Sequence, residues 1–274
     1  MRDASEPMKD ITFFVPCYNE EGNIAGTIDT IVEALQGLSL SYGILVCDDA
    51  STDRTCEIVQ RQIAAKPEIL IQLVENAKNN GLGHNYFQCA FLADSTHYML
   101  INGDNVEPVL QIRDILTHLG EADMIIPYFG ERETRTGFRK VVSRTFTLLV
   151  NTLSSHSIHY YNGAVLHRTE NVRLWSSETR GYGYQTELIC RLLHEGRSYV
   201  EVSTFNIDRQ WGCSKAFSFS NIFAVLISLR HIFFMRIQYG LYRLLARRVG
   251  EGDGDKKSIL NWLSPRSKRT PNGR

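Results

Sequence analysis

The first 130 residues alternate between two hydrophobic periods, and this alternation limits the possible folds more than any other feature of the chain. Short apolar runs of strand length are separated by segments whose apolar residues recur at helical spacing. The runs are residues 11–15, 42–47, 69–74, 97–101 and 122–127. Strands that alternate with helices form βαβ units with helices packed against the sheet. The sequence therefore predicts an α/β domain built on a largely parallel sheet.

The pattern becomes less regular after Pro127. We expect a charged loop, a helix at 138–153, a strand near 158–167, a helix from Gln185 to Gly196, and a last strand at 198–203. Glycine at the end of a helix is typical of a C-cap, because it tolerates a left-handed backbone conformation. We place the end of this domain at residue 215.

Composition limits the class of protein. A chain of 274 residues with 43% hydrophobic content can bury one large core or two small ones. Its six cysteines are scattered and include no Cys-x-x-Cys pair, which argues against a zinc site or a disulfide framework. The first ten residues are polar, so we see no signal peptide and expect a cytoplasmic protein.

The formal net charge of zero conceals an acidic body and a basic end. Residues 209–274 hold 13 Lys and Arg against three acids, whereas residues 1–208 hold 17 basic and 27 acidic side chains. This asymmetry predicts contact between the basic end and an anionic surface such as a membrane. The alternative is a solvated tail that only aids solubility. We expect residues 249–274 to be a basic disordered tail.

Residues 216–248 are apolar and rich in aromatic side chains, but arginines interrupt them. The longest uncharged run, 216–229, has 14 residues, fewer than the roughly 18–20 needed to cross a bilayer. We therefore expect amphipathic interfacial or hairpin helices that lie on the cytosolic face of a membrane. A subunit interface in a homo-oligomer is the alternative.

Three carboxylates lie in the loops that follow predicted strands. Glu20, Asp49 and Asp104 each lie in a polar loop directly after an apolar run. These loops could be simple turns or helix caps, with Asn19 and Ser51 as capping residues. Clustered carboxylates repel each other, however, unless a cation or ribose hydroxyls are bound. Ligands of open α/β sheets bind at this end of the strands, so we predict a ligand or metal site.

Three stretches carry a resemblance to a known family: "VPCYNEEGNI", "VCDDASTDRT" and "GYGYQTELICRLLHEGRSYVEVSTFNIDRQWGCSKAF". The first two resemble the nucleotide-sugar half of a family 2 glycosyltransferase with the GT-A fold. The third is similar to a segment of dolichol-phosphate mannose synthases and related polyprenyl-phosphate glycosyltransferases. The resemblance covers residues 10–217.

The resemblance implies a role for individual residues. Pro16, Tyr18 and Glu20 correspond to residues that contact the nucleoside, as do the backbone of Cys47 and the carboxylate of Asp49. The donor and its divalent cation, Mg²⁺ or Mn²⁺, fall on the loop of Asn102, Gly103 and Asp104, with Asp104 as the metal-binding carboxylate. The phosphates of a GDP- or UDP-sugar donor fall on Arg139, Arg209 and Lys215. Gln185 and Glu187 correspond to the family's residues at the acceptor side. No nucleic-acid partner is expected.

The chain departs from the family at three places. Asn102 replaces the first acid of the metal pair, Val106 replaces a glutamine that helps hold the metal, and "HYYNGAV" replaces an Asp-x-Thr-Gly segment. A single carboxylate can still hold Mg²⁺ when a diphosphate supplies further oxygens. Because Asn102→Asp would restore the family pair, we expect it to preserve or tighten metal binding.

The expected activity is inverting transfer of a sugar to a polyprenyl phosphate. A phosphate acceptor is already an anion and needs no general base, whereas a sugar hydroxyl does. Two alternatives remain open. One is a glycosyltransferase with a saccharide, glycolipid or other hydroxyl acceptor, in which Glu187 or a neighbour would be the catalytic base. The other is a non-catalytic nucleotide-sugar-binding protein.

Overall fold

The computed structural model describes residues 8–130, 137–175, 183–205 and 219–249. Seven segments form strands: β1 (Lys9–Cys17), β2 (Tyr42–Asp48), β3 (Leu70–Glu75), β4 (Ser95–Leu100), β5 (Met124–Phe129), β6 (Leu166–Arg168) and β7 (Tyr199–Thr204). They make one sheet in the order β3-β2-β1-β4-β6-β5-β7. Strand β6 runs antiparallel to β4 and β5, and the other neighbours are parallel. The predicted α/β domain with a largely parallel sheet is confirmed.

Helices cover both faces of this sheet. They are α1 (Ile24–Leu35), α2 (Thr55–Ala65), α3 (Leu82–Leu92), α4 (Val109–Leu116), α5 (Gly137–Ser154), α6 (Thr169–Arg173), α7 (Tyr184–His194) and α8 (Phe219–Val249). Successive strand residues point to opposite faces, so Phe13 enters the core under α1 and α4, and Phe14 enters the core under α3 and α7. Both side chains are fully buried.

The predicted helix at 138–153 corresponds to α5, and the predicted C-cap is confirmed at Gly196. This glycine has a φ of +79°, which suits its lack of a Cβ. The Gly196 N–H donates to the Leu193 carbonyl at 3.1 Å and the Arg197 N–H to the Leu192 carbonyl at 2.9 Å. This pair of bonds is the Schellman arrangement that ends a helix.

The strand expected near 158–167 was wrong over most of its length, since β6 comprises only Leu166–Arg168. The preceding backbone is bonded to side chains instead of a neighbouring strand. Ile158 exchanges hydrogen bonds with the Asn151 amide at 3.0 and 3.2 Å. The carbonyls of Tyr161 and Gly163 accept from Gln185. The backbone groups of this segment are therefore satisfied without extending the strand.

The described part of the C-terminal segment, Phe219–Val249, is one continuous helix, so of the two alternatives, interfacial or hairpin helices, the hairpin was wrong. Ser228, Ile232, Met235 and Tyr239 form its buried stripe, which packs against α5 and α7. The opposite side of α8 carries an apolar stripe that is exposed: Leu226, Phe233, Ile237, Leu241 and Leu244. Within the ranges given above, no helix combines the length and hydropathy that crossing a bilayer requires.

Two arginines of α8 attach this helix to the rest of the domain through hydrogen bonds. Arg236 Nη1 donates to the Thr152 carbonyl at 2.9 Å, and Arg243 Nη2 donates to the His194 carbonyl at 3.2 Å. These carbonyls lie in the last turns of α5 and α7, where the helix dipole favours a positive charge. Arg236 and Arg243 therefore contact protein, whereas the sequence analysis predicted that the basic side chains of this end contact an anionic surface such as a membrane.

The two isoleucines on opposite faces of α8 allow a matched test of this packing. Ile232→Ala removes a fully buried side chain, so we expect the free energy of unfolding to fall by about 2–5 kcal/mol. Ile237→Ala alters a side chain that is 42% exposed, and a change below about 1 kcal/mol is expected. Urea unfolding of both variants measures the difference, and equal losses would contradict the assigned packing.

Candidate active site

The loops that follow β1, β2 and β4 lie side by side, because these three strands are parallel neighbours. The Asp49 N–H donates to the Cys17 carbonyl at 2.9 Å, which joins the loop after β2 to the end of β1. The Gly103 N–H donates to the Pro16 carbonyl at 3.2 Å, which joins the loop after β4 to the same strand. The sequence-based prediction that these loops share one edge of the sheet is confirmed.

Asn19 and Ser51 connect the first two loops and cap neither helix. The Asn19 N–H donates to Ser51 Oγ at 2.8 Å, and the Thr52 N–H donates to Asn19 Oδ1 at 2.8 Å. The residues preceding α1 and α2 are Asn23 and Arg54 instead. The capping alternative was therefore wrong, and these polar side chains fix the two loops to each other.

The Asp49 carboxylate holds the loop after β3. It accepts the N–H groups of Asn80 and Gly81 at 2.8 and 2.9 Å and the Asn76 amide at 2.9 Å. Burial raises the pKa of Asp49, but these hydrogen bonds outweigh burial, and the pKa lies below the ordinary value. Asp49 is thus an anion with a fixed position at the site.

The other residues predicted to contact the nucleoside lie at this same edge. Tyr18 follows β1 and is 38% exposed, so its ring is accessible at the strand end. Glu20 Oε2 accepts the Asn23 amide at 2.8 Å, which orients the carboxylate at the start of α1. Pro16 and Cys47 are opposite each other in the register of β1 and β2. Their carbonyls accept Gly103 N–H and Cys17 Sγ respectively.

Gly103 allows the loop of Asn102 and Asp104 to approach β1 closely. A Cβ at this position would lie 2.7 Å from the Pro16 carbonyl oxygen and 3.1 Å from the Cys17 Cβ. Both distances are too short for normal contacts, so a side chain here would displace the loop. Gly103 therefore acts through its small size, which keeps its two polar neighbours at the sheet edge.

Glu107 is a buried carboxylate of this loop that the sequence analysis did not single out. Its Oε1 accepts the Asn102 side-chain amide at 2.7 Å, and its Oε2 accepts the Asn102 N–H at 3.3 Å. Burial raises the pKa of Glu107 to about 8, and the negative charge of Asp104 acts in the same direction. In sequence, a glutamate before Pro108 and a helix is unremarkable, so no pattern indicated its contact with Asn102.

The oxygen atoms of this loop fit a divalent cation that is shared with a ligand. In the part of the chain that the structure describes, no group of three or more His, Cys, Asp or Glu side chains could hold a metal ion. The loop instead offers the Asp104 carboxylate and the Asn102 amide oxygen. Mg²⁺ is commonly bound by one or two carboxylates together with substrate phosphates. The donor set thus suits Mg²⁺ or Mn²⁺ on a diphosphate.

Gln185 attaches the first turn of α7 to the same edge of the sheet. Its Nε2 donates to the carbonyls of Tyr161 and Gly163 at 2.8 and 2.7 Å. Strand β6 runs antiparallel, so the residues just before it lie toward the carboxyl ends of β4 and β5. A Cβ on Gly163 would meet the Pro127 carbonyl at 2.8 Å. Gln185 is buried, so it holds the segment before β6 in place rather than lining an open surface, and its assignment to the acceptor side stays a prediction.

Glu187, in the same turn, contacts the C-terminal helix. The Glu187 side chain is buried, and its Oε2 lies 3.4 Å from His231 Nδ1 of α8. His231 lies within an apolar segment, and no pattern in that segment indicated that it would face Glu187. The helix that carries the exposed apolar stripe therefore also contacts the predicted acceptor side.

The remaining predicted site residues are cationic. Arg139 is partly buried in the first turn of α5, and residues 131–136 immediately before this helix are outside the described ranges. Arg209 and Lys215 also lie outside the described residues, so their assignment to phosphate remains a prediction.

Solved structures of another protein share this fold. Glucosyl-3-phosphoglycerate synthase from Mycobacterium tuberculosis, in complex with UDP, aligns with a TM-score of 0.61 and 17% identity. The alignment covers 81% of this chain and 80% of that one. Its complex with Mn²⁺, UDP and phosphoglyceric acid gives a TM-score of 0.60 over 81% and 78% of the two chains, at 17% identity. The expected GT-A type of sheet is confirmed by this likeness.

Sequence comparison adds relatives and a family. Undecaprenyl-phosphate 4-deoxy-4-formamido-L-arabinose transferase of Pectobacterium atrosepticum is 22% identical over 82% of this chain and 67% of its own length. The enzyme of that name from Salmonella choleraesuis is 23% identical over 84% of this chain and 68% of its own length. The sequence model named Glycosyl transferase family 2 matches residues 12–179. On that match, which spans more than half of its length, the chain belongs to glycosyl transferase family 2.

Proposed function

We propose that this chain is an inverting, metal-dependent hexosyltransferase that moves a sugar from a nucleotide-diphosphate donor to a polyprenyl phosphate. It would act as a peripheral protein on the cytosolic face of a membrane. One observation carries the choice of acceptor: α8 has an exposed apolar stripe and also contacts Glu187 through His231. The names of the curated relatives, undecaprenyl-phosphate sugar transferases, support the same acceptor class.

The residues at the sheet edge would have separate roles, which depend on the chemistry of their side chains. Tyr18, Glu20 and Asp49 would bind the nucleoside, with the backbone of Pro16 and Cys47 closing that side. Asp104 and Asn102 would hold Mg²⁺ or Mn²⁺, which when bound neutralises charge on the leaving diphosphate. Arg139, with Arg209 and Lys215, would add positive charge at the same phosphates. The donor would be a UDP- or GDP-sugar, as UDP-bound structures of the fold neighbour suggest.

The acceptor phosphate would attack the anomeric carbon from the face opposite the leaving group, which inverts the configuration. A phosphate monoester is already ionised at neutral pH, so no side chain has to remove a proton from it. Glu187 is buried and contacts His231, so we assign it to orienting the acceptor side rather than to general base catalysis. A hydroxyl acceptor, which would need a base, is the alternative that an acceptor screen separates.

Nucleoside binding can be tested on two neighbouring glutamates. Glu20→Ala should weaken UDP or GDP binding at least about tenfold, or roughly 1.4 kcal/mol, as measured by calorimetry. Glu21→Ala is the control, because Glu21 pairs with Arg54 at an exposed position of the same loops. Asp49→Ala should lose nucleotide affinity to a similar degree. It should also unfold at a lower temperature, because Asp49 holds the loop after β3. Unchanged affinity in both Glu20→Ala and Asp49→Ala would contradict the assignment.

The metal-dependent step can be tested at Asp104. Asp104→Asn should lower Mn²⁺-dependent transfer of radiolabelled sugar to polyprenyl phosphate in vesicles by about 100-fold or more, since electrostatic stabilisation of a leaving group is lost. Asp114→Asn, on the exposed side of α4, is the control and should keep its activity. Full activity of the Asp104 variant would exclude the metal role. Transfer only to hydroxyl acceptors would support the alternative function, and no transfer from any donor would support a non-catalytic protein.

Membrane contact can be tested with point variants of the α8 stripe. Removal of the whole helix would expose its buried face on α5 and α7, so truncation would confuse folding with lipid binding. Phe233→Ser together with Ile237→Ser should reduce co-sedimentation with anionic vesicles at least about tenfold, because two apolar side chains no longer enter the interface. Gln238→Ser, also exposed, is the control.

We also expect vesicle binding to weaken with salt, through Arg230 and the basic tail, at about 1 kcal/mol for each basic side chain near the surface. The stripe would be a subunit interface if the wild-type protein stays in the supernatant and elutes as an oligomer that the double substitution dissociates.

A further inference from the structure

Glu107 is connected to Asn102 by two hydrogen bonds. The Glu107 residue is 6% exposed, and one carboxyl oxygen accepts the Asn102 side-chain nitrogen at 2.7 Å. The other oxygen accepts the Asn102 N–H at 3.3 Å. Because both bonds go to the same residue, they fix the Asn102 side chain relative to its own backbone.

This pairing determines which way the Asn102 amide faces. The Asn102 side-chain nitrogen is the amide atom that faces Glu107, because it donates to Oε1 while the Asn102 N–H donates to Oε2. The amide oxygen leaves the same carbon in another direction and therefore points away from Glu107. Asn102 is half-buried whereas Glu107 is buried, which places the amide oxygen on the more open side of the loop.

We propose that Glu107 is a positioning residue that holds the Asn102 amide so that its oxygen is a ligand of the divalent cation beside Asp104. The proposal rests on the proposed function, which takes Asn102 and Asp104 as cation ligands. An acid pair would place two carboxylates on the cation directly. In this chain the Asn102 amide takes the place of the first acid at the cation. The Glu107 carboxyl group lies five residues later in the sequence and contacts this amide.

Two single substitutions should each disturb this arrangement. Asn102→Asp replaces the nitrogen that donates to Glu107 with an acceptor oxygen, so the hydrogen bond that holds this side chain is lost. This reverses the sequence-based expectation that Asn102→Asp preserves or tightens metal binding. Glu107→Gln replaces one of the two oxygens that accept from Asn102 with an amide nitrogen. The new nitrogen would either face a donor or draw the Asn102 oxygen inward, away from the cation.

The double substitution Asn102→Asp with Glu107→Gln exchanges the two functional groups. The new glutamine nitrogen can donate to the new aspartate, and the glutamine oxygen can still accept the N–H of residue 102. Both hydrogen bonds are thereby rebuilt with donor and acceptor reversed. A carboxylate oxygen then replaces the amide oxygen on the open side of the loop, so metal binding should return.

The experiment is calorimetric titration of Mn²⁺ into the full chain in the presence of UDP, with urea unfolding of every variant. Loss of a residue that orients a metal ligand commonly costs about 10–100-fold in metal affinity, and we expect such a loss for each single variant. The double variant should return to within about threefold of the wild-type affinity, since the coupling between contacting residues is large.

Asn105→Asp is the matched control for added charge. It places a carboxylate in the same loop, but the Asn105 oxygen accepts the Thr30 hydroxyl at 3.0 Å and an aspartate oxygen can do the same. We expect near wild-type Mn²⁺ affinity for this variant. A loss there equal to that of Asn102→Asp would show that charge alone explains the effect and would overturn the proposal.

The remaining outcomes separate this inference from the proposed function. If the wild type binds Mn²⁺ with UDP but Asn102→Asp tightens it, Glu107→Gln leaves it unchanged, or the double variant recovers nothing, the role of Glu107 is wrong and the proposed function stands. If the wild-type chain binds UDP but the titration of Mn²⁺ gives no heat above the control, the assigned cation ligands and the role of Glu107 are both wrong.

Discussion

Hydrogen bonds between the strand-end loops are the interaction on which the candidate site depends. β1 lies between β2 and β4, and its terminal carbonyls at Pro16 and Cys17 accept N–H groups from the loops on both sides. The polar side chains that follow these strands cannot then move independently. A nucleotide would meet a surface whose loops are already fixed by the fold, which lowers the entropy that binding must overcome.

Much of this arrangement was predictable from the sequence because it follows from local periodicity. Five apolar runs identified β1 to β5, since buried parallel strands read as continuous hydrophobic segments. Parallel strands end at the same edge, so Glu20, Asp49 and Asp104 could be placed together without coordinates. The C-cap at Gly196 was equally local, because its backbone conformation favours glycine. The assigned roles of these carboxylates still depend on binding experiments.

Most of the features that sequence reasoning missed depend on contacts between distant segments; the contact between Glu107 and Asn102, five residues apart, is the exception. Gln185 donates to carbonyls more than twenty residues earlier in the chain, within the segment that was expected to be a strand near 158–167. His231 and Glu187 are 44 residues apart. Arg236 was assigned to lipid because its charge interrupts an apolar run, whereas a helix terminus uses that charge. Neither hydrophobic period nor residue type specifies which distant partner a polar side chain will find.

The position of α8 has a consequence for how a lipid acceptor would be selected. One face of this helix contacts the domain at Glu187, and the opposite face is the apolar stripe, so the two are separated by the width of a helix, about 10–12 Å. A bilayer against the stripe would leave its headgroup layer level with the acceptor side. The phosphate of a prenyl chain could then react while the chain stays in the hydrocarbon. Acceptor choice would in that case depend on the depth at which a phosphate sits, and water-soluble phosphates would have no such alignment.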